Sequence, residues 1–388
     1  MKNFDFHVPT KIIFGEGTIP QIGNEAKAYG KKVLLVYGKA SIKKSGLYDK
    51  VIASLEEAGL DIVEHPGVKP NPVLSHLHKG VEIAKKEKVD FVLGVGGGSV
   101  VDESKGIAAG AMTDVDPWDF YIGKEDIKAT LPVLTILTIP ATGSEMNNSS
   151  VITNEETKEK VGFLDGHLYP KVSILDPSVT MTVGPDYTAY SAVDAISHLF
   201  EGYFTNTAGW LPIQDRLVEG LVKSIMESTE IILKDPEDYS GRATFMWCAT
   251  LAWNGLCIAG IGDFAFPMHL LEHPLSGLYD IAHGAGLSIT IPAWLTWMLD
   301  KDTSKIAQFA ENALGINKGS QDRKAQKGVA ALKSWFEKIG SPTSFSAAGI
   351  PDSDIENITD FTVKLAKIWG MDGDYTRDKI IELFKLCL

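Results

Sequence analysis

The chain has 388 residues, of which 44% are hydrophobic and 22% are charged, and its formal net charge is −13. This length allows one large domain or two ordinary domains with their own cores, and the composition is that of a globular protein. The negative charge argues against nucleic acid or an anionic membrane as a partner.

The first ten residues, MKNFDFHVPT, contain neither an apolar run nor a cleavage site, so we expect no signal peptide. No stretch of the sequence is long and apolar enough to predict a membrane span. The cysteines Cys248, Cys257 and Cys387 form no CxxC pair, which is typical of reduced, mostly buried thiols. We therefore expect a cytoplasmic protein.

The N-terminal segment FDFHVPTKIIFGEG alternates in polarity, is rich in β-prone residues and ends in a glycine turn. This pattern predicts a strand or a hairpin arm. Because an unpaired edge strand promotes aggregation, we expect this arm to pair with another segment.

From residue 31 onward, apolar β-prone runs alternate with amphipathic helical patterns, which predicts a parallel sheet with right-handed crossovers. The predicted strands are 31–38, 61–64, 89–99, 133–139 and 172–175, and the predicted helices are 46–58, 73–86 and 100–112.

After Pro185 the strand patterns disappear and helical periodicity continues to the end of the chain. The predicted helices are 186–202, 212–233, 241–258, 267–277, 287–298, 304–314, 322–339, 355–368 and 377–386. We therefore expect an α/β domain over residues 1–184, followed by an all-α domain over residues 185–388.

Two loops at predicted strand ends are candidates for binding an anionic cofactor. Gly96, Gly97, Gly98 and Ser99 lie between a buried strand and a helix, where glycines allow a phosphate to approach the backbone amides. The match to the G-x-G-x-x-G fingerprint is poor, so glycines needed only for packing remain an alternative. The loop TIPATGSE offers hydroxyl groups, although an ordinary β–α loop without a ligand could have the same sequence pattern.

Residues 262–286 contain three of the nine histidines: His269, His273 and His283. His269 and His273 stand four residues apart, as do Asp194 and His198, so a helix would place each pair on one face. Packing two such helices together would gather imidazoles and a carboxylate, a set that suits Fe²⁺ or Zn²⁺ better than Ca²⁺ or Mg²⁺. Ordinary core histidines remain the alternative.

The segment GDFAFPMHLLEHPLSGLYDIAHGAGLSITIPAW resembles the histidine signature of the iron-containing (group III) alcohol dehydrogenases, and most of all their butanol dehydrogenase-like branch. GGGSVVDESKGIA and TIPATGSEMNNSSVIT extend the resemblance through most of the chain. It implies a dehydroquinate synthase-like architecture, in which an N-terminal α/β dinucleotide-binding domain precedes an all-α catalytic domain.

The resemblance implies that four residues bind one divalent metal, Fe²⁺ or Zn²⁺: Asp194, His198, His269 and His283. It also implies that His273 lies near the nicotinamide and is a candidate for proton relay. Glu272 and Asp280 are expected on an exposed helix face and are assigned no role.

For the cofactor, the resemblance implies that the pattern GGGSxxDxxK holds a pyrophosphate and that Asp102 lies near the nicotinamide ribose. Thr138 and Thr142 would then reach the phosphates and adenosine. Members that prefer NAD commonly have an acid after the first strand, whereas this chain has Gly38 followed by Ser41 and several lysines. This difference predicts NADP as the cofactor, with NAD as the alternative.

The expected function is metal-dependent, NAD(P)-linked oxidation of small to medium alcohols, or reduction of the corresponding aldehydes, butanol and butanal among them. The resemblance also implies a homodimer formed through the N-terminal strand. One alternative is a related enzyme of the glycerol dehydrogenase, glycerol-1-phosphate dehydrogenase or dehydroquinate synthase kind, although the basic cluster that anionic substrates require is not evident. A non-catalytic nucleotide-binding protein is another, although structural metal sites favour cysteine ligands.

Overall fold

The structure, a computed structural model, describes residues 1–388 as two compact units. The sheet unit comprises residues 7–183 and 236–254, and the helical unit comprises residues 1–6, 184–235 and 255–388. No helix in either unit combines the length and apolar character that a bilayer span requires.

The sheet unit is built on six parallel strands in the order β1-β8-β5-β4-β2-β3. Their bounds are β1 Lys11–Phe14, β2 Lys32–Tyr37, β3 Asp61–Pro66, β4 Phe91–Gly97, β5 Val133–Ile139 and β8 Val172–Leu175. This topology confirms the predicted parallel sheet. Continuous apolar runs such as KVLLVY in β2 form its inner strands, which are buried on both faces.

Seven helices belong to this unit. They are α1 Ile22–Ala26, α2 Ser41–Lys44, α3 Leu47–Glu57, α4 Leu74–Glu87, α5 Gly98–Gly110, α6 Trp118–Tyr121 and α9 Tyr239–Ala252. Apolar side chains from α3 and from strands β2, β4 and β8 form a shared core on one face of the sheet. The helix α9 comes from the part of the sequence that was expected to be entirely helical, yet it is part of the sheet unit.

An antiparallel hairpin of β6 (Ser149–Asn154) and β7 (Glu159–Leu164) was missed in the sequence. Its strands are short and contain Ser, Thr, Asn, Glu and Lys, so their hydrophobic alternation is weak. The hairpin follows the loop TIPATGSE and packs against α5.

Of the strand or hairpin arm expected at the N-terminus, the structure shows a short paired strand and no hairpin. Only Lys11–Phe14 forms a strand, β1, which pairs in parallel with β8 at the edge of the sheet. Residues 1–10 contain no helix or strand. Within this segment, the side chains of Phe4 and Phe6 are about half exposed. Proline at position 9 and the short alternating run explain why the strand begins late.

The helical unit contains α7 Pro185–Thr205, α8 Pro212–Lys234, α10 Pro267–Tyr279, α11 His283–Met298, α12 Ser304–Asn312, α13 Gln321–Lys338, α14 Ile355–Ile368 and α15 Arg377–Lys385. The helix α11 is apolar on nearly every side and is almost wholly buried. It approaches α7 closely at Gly284, where an added Cβ would lie 2.0 Å from the carbonyl oxygen of Tyr190. This close packing brings the first turn of α11 to the middle of α7.

Candidate metal and cofactor sites

The helix α7 presents Asp194 and His198 one turn apart, and their side chains are buried. The helix α10 presents His269 and His273 in the same way, and His283 is the first residue of α11. Candidate ligand atoms of Asp194, His198 and His269 all lie within 4.8 Å of one another, and so do those of Glu272, His273 and His283.

Asp194 lies at the centre of this histidine cluster. Its Oδ1 is 3.6 Å from His198 Nδ1 and 3.7 Å from His283 Nε2. The ring centroid of His269 is 4.9 Å from that of His198 and 5.2 Å from that of His283. The structure therefore brings together all four of the metal-binding residues suggested by the sequence.

Glu201, which the sequence analysis did not select, orients one of these histidines. Its Oε1 accepts hydrogen bonds from the backbone N–H of His269 at 2.9 Å and from His269 Nδ1 at 2.8 Å. A proton on Nδ1 makes Nε2 the nitrogen with the available lone pair. The spacing of Asp194, His198 and Glu201, at i, i+4 and i+7 on one face of α7, is the signal that could have identified Glu201.

The prediction that Glu272 lies on an exposed helix face is wrong. Glu272 is fully buried, it contacts His283 Nδ1, and it accepts a hydrogen bond from Ser276 Oγ. The helix α10 is buried on almost all sides, so its polar residues cannot be sorted by helical periodicity. Asp280, at the end of the helix, is exposed as expected.

The protonation of the cluster suits a divalent cation. Burial, reinforced by the nearby His269, holds the pKa of His198 well below its usual range, so its imidazole is neutral. Burial also raises the pKa of Glu201 well above its usual value. Neutral imidazoles with one carboxylate are the ligand chemistry of Fe²⁺ and Zn²⁺ sites, so the residues present fit the metal.

His273 lies beside the cluster rather than at its centre. It is 3% exposed, and its ring centroid is 5.5 Å from that of His283 and 5.1 Å from that of Trp369. Four residues after His269, it shares the buried face of α10.

In the sheet unit, the predicted cofactor residues follow three adjacent strands. Gly38 follows β2, Gly96, Gly97, Gly98 and Ser99 span the end of β4 and the start of α5, and Thr138 lies near the end of β5. The chain leaves β2 toward β3 on one side and returns to β4 on the other, which is a topological switch point. Nucleotides bind beyond the carboxyl ends of strands at such points.

The two predicted cofactor loops touch each other at Gly98 and Thr142. A Cβ on Gly98 would lie 2.4 Å from Thr142 Oγ1, so only glycine permits this contact. Thr142 Oγ1 also accepts a hydrogen bond from the backbone N–H of Ser144. The first turn of α5 and the loop after β5 therefore form one continuous surface.

Asp102 is buried on α5 and accepts a 2.6 Å hydrogen bond from Ser144 Oγ. Burial raises its pKa to about 6, while Lys105 opposes the shift. Lys105, the last residue of the GGGSxxDxxK pattern, is fully buried and donates to Ser144 Oγ and to three oxygens of Asn147 and Ser149. Burial lowers the pKa of Lys105 to about 8. Together Asp102 and Lys105 fasten the loop after β5 to α5.

Beyond β2, Gly38 is partly buried and Ser41 begins α2 in an exposed position. Lys43 Nζ lies 4.4 Å from the ring centroid of Tyr48 and 4.0 Å from Glu64 Oε2. Glu64, on the adjacent strand β3, also accepts hydrogen bonds from the hydroxyls of Tyr37 and Tyr48. Its charge is thus engaged by three neighbours.

Comparison with family models decides the identity of the chain. Residues 9–177 match the model of the iron-containing alcohol dehydrogenases, and residues 188–388 match the C-terminal model of the Fe-containing alcohol dehydrogenase family. The chain belongs to the iron-containing alcohol dehydrogenase family.

Individual relatives in this family are similar over the full chain. The probable NADH-dependent butanol dehydrogenase 1 of Bacillus subtilis is 44% identical, with all of both chains covered. The NADPH-dependent aldehyde reductase YqhD of Escherichia coli is 39% identical over 92% of this chain and 91% of its own. The crystal structure of NADH-dependent butanol dehydrogenase A from Thermotoga maritima superposes with a TM-score of 0.97 and is 48% identical, covering 100% of this chain and 99% of that one.

The predicted family and fold class are thereby confirmed. This iron-containing alcohol dehydrogenase is an enzyme that depends on a nicotinamide nucleotide and a divalent metal and acts on an alcohol or aldehyde. Of the functions that the sequence left open, the comparisons support the alcohol dehydrogenase or aldehyde reductase.

Proposed function

We propose that this enzyme interconverts small to medium primary alcohols and aldehydes of the butanol and butanal type. The observation that carries the proposal is the convergence of Asp194, His198, His269 and His283 in one buried cluster. The names of the relatives from Bacillus subtilis and Thermotoga maritima, both butanol dehydrogenases, support the substrate class.

In this proposal Asp194, His198, His269 and His283 bind a single Fe²⁺ or Zn²⁺ ion. Once bound, the metal would polarise the substrate oxygen, and the nicotinamide would exchange a hydride with the substrate carbon. Glu201 and Glu272 hold the rings of His269 and His283 by their Nδ1 atoms, which leaves Nε2 of each ring for the metal.

His273 is proposed to move the proton that accompanies hydride transfer. Its burial beside His283, without a central place in the cluster, supports a role near the reacting oxygen. The variant His273→Gln should lower kcat and remove one ionisation from its pH profile while leaving metal content unchanged. A pH profile that keeps its shape in this variant would assign His273 to positioning alone.

The test of the main proposal is butanal reduction by metal-free protein reloaded with Fe²⁺ or with Zn²⁺. The wild type should turn over only after reloading, whereas His269→Ala should lose the metal of the Asp194 cluster and remain inactive. His167→Ala, at an exposed histidine of the sheet unit, is the matched control and should behave like the wild type. Turnover by metal-free wild type, or by His269→Ala, would contradict the proposal. Comparing the two metals also measures which of them supports the higher rate.

We further propose that the cofactor is NADP(H) and that Gly96, Gly97, Gly98, Ser99, Asp102, Thr138 and Thr142 bind it. The lack of an acid at Gly38 and the nearby Ser41 favour a 2′-phosphate. Relatives are named for NADH as well as for NADPH, so preference has to be measured. The wild type should show a higher kcat/KM for NADPH, and Gly38→Asp should reverse that order. A wild type that prefers NADH would refute the preference.

The division into a cofactor-binding domain at 1–184 and a metal-binding domain at 185–388 remains part of this proposal, as does a homodimer through β1. The exposed edge position of β1 supports the dimer. Light scattering of the wild type should give twice the mass of one chain, and the variant Ile12→Pro should give the mass of one chain.

Three buried free cysteines support a reducing, cytoplasmic setting.

A further inference from the structure

A second cluster of candidate ligands lies in the sheet unit, among residues without a role in the proposed reaction. His65 is near the end of β3, His76 lies in the first turn of α4, and Glu103 is on α5. Candidate ligand atoms of all three lie within 4.8 Å of one another. Glu103 is fully buried, His65 is 3% exposed, and the two imidazole rings stack with centroids 4.1 Å apart.

The hydrogen bonds of His76 leave a position between its ring and Glu103 that a proton or a metal ion must fill. Its Nε2 lies 3.1 Å from the carbonyl oxygen of Pro66, which can only accept, so Nε2 carries a hydrogen. Its Nδ1 lies 2.5 Å from Glu103 Oε1, which is also an acceptor when the carboxylate is ionised. If the imidazole is neutral and carries its hydrogen on Nε2, its Nδ1 presents a lone pair to the carboxylate. Either a second proton or a metal ion must therefore occupy this position.

Glu103 adds a second, independent reason for a cation. Its Oε2 is buried and has no hydrogen-bond partner, while Oε1 is shared between His76 and His65 Nε2, the latter at 3.3 Å. A buried carboxylate with an unsatisfied oxygen is costly unless a positive charge neutralises it.

We propose that His65, His76 and Glu103 bind a divalent transition metal, Zn²⁺ in the first instance, at a site separate from the Asp194 cluster. Two imidazoles with one carboxylate are a known zinc ligand set, and a water would complete the tetrahedron. The 3.3 Å between His65 Nε2 and Glu103 Oε1 already equals the ligand spacing of a tetrahedral zinc site, about 3.3 Å. His76 must move by less than about 1 Å, unless the unpartnered Oε2 of Glu103 coordinates instead.

The hydrogen bond from His76 Nε2 to the Pro66 carbonyl is the outer contact that orients metal-binding histidines. A metal bound here would join the edge strand β3 to α4 and to α5, the helix that follows the glycine-rich loop.

The experiment is a count of bound Zn²⁺ by atomic emission after metal-free protein is dialysed against Zn²⁺ and then against buffer. Wild type should retain two ions per chain, and His76→Gln should retain one. His78→Gln is the matched control, because His78 lies on the same helix but is only partly buried and is paired with Asp116, and it should retain two. Circular dichroism would check that each variant folds.

A parallel count on His269→Ala separates this site from the proposed catalytic site. One ion in the wild type, retained by His76→Gln and lost by His269→Ala, would overturn the second site and leave the catalytic one intact. One ion lost by His76→Gln and retained by His269→Ala would support the second site and overturn the catalytic one. If His76→Gln does not fold, Glu103→Gln and the wild-type count serve instead, and a single wild-type ion that Glu103→Gln retains would overturn the proposal.

Discussion

Glu201 and His269 are joined by two hydrogen bonds to the same carboxylate oxygen, one from the backbone N–H and one from Nδ1 of the ring. Glu201 is on α7 and His269 is on α10, so this pair fixes the distance between two of the three helices that carry the proposed metal ligands. It also fixes which ring nitrogen of His269 is protonated. One buried acid thus orients both a helix and an imidazole.

Replacing Glu201 by Gln should weaken metal binding by about 10-fold to 100-fold, because the amide is a weaker acceptor and can present its NH₂ to Nδ1. Competition with a chromophoric chelator would measure the change. The control is Glu219→Gln, a buried acid on α8 that accepts from Tyr203 and Asn312 and touches no histidine. Equal metal affinity in Glu201→Gln and wild type would show that Glu201 does not control His269.

Alanine at Gly284 should destabilise the helical unit by about 3 kcal/mol or more, because its Cβ would overlap the carbonyl of Tyr190 on α7. Alanine at Gly220 provides the opposite case, since an added Cβ there has no neighbour within 4 Å and the residue is an exposed part of α8. That variant should gain about 1 kcal/mol from helix propensity. Urea unfolding of both proteins would compare them, and similar stabilities would refute the close packing of α7 and α11.

Methionine at Lys105 should cost about 3 kcal/mol of folding free energy, because it leaves the buried oxygens of Ser144, Asn147 and Ser149 without their donor. Cofactor affinity, followed by nicotinamide fluorescence, should fall as well, since the loop after β5 would loosen. Lys86→Met, at an exposed position of α4, should change neither quantity. Unchanged stability of Lys105→Met would mean that water replaces the ammonium group.

The carboxylate of Asp90 should make the folding stability depend on pH. Its carboxylate accepts from the backbone N–H groups of Lys31 and Lys32, and these bonds, the one from Lys32 most, hold its pKa below the usual value. A lowered folded-state pKa stabilises the protein above the unfolded value, about 4, and that contribution is lost as the pH falls through the folded value. Asp90→Asn should therefore cost about 1 kcal/mol at pH 7, a small effect because the residue is exposed, and the two melting curves should converge in acid. A difference that does not shrink as the pH falls below the unfolded value would exclude the charge as its cause.

The inner strands of the sheet were predictable because they are continuous apolar runs buried on both faces, as in β2 and β5. The hairpin of β6 and β7 was not predictable, since its polar residues obscure the period of two. The late start of β1 was missed because its pairing with β8 depends on residues 161 positions away.

The sequence by itself determined the type of chemistry. The i, i+4 spacing of Asp194 with His198, and of His269 with His273, is visible in the sequence because it is a local property of the helix. The glycine-rich loop before α5 is likewise local.

Only the tertiary structure decided how these local pieces combine. The contact of Glu272 with His283 joins two helices, the burial of Lys105 depends on a loop about 40 residues later, and the His65, His76 and Glu103 cluster joins a strand to two helices. Such contacts arise from packing between elements, so the sequence periodicity of a single element does not predict them.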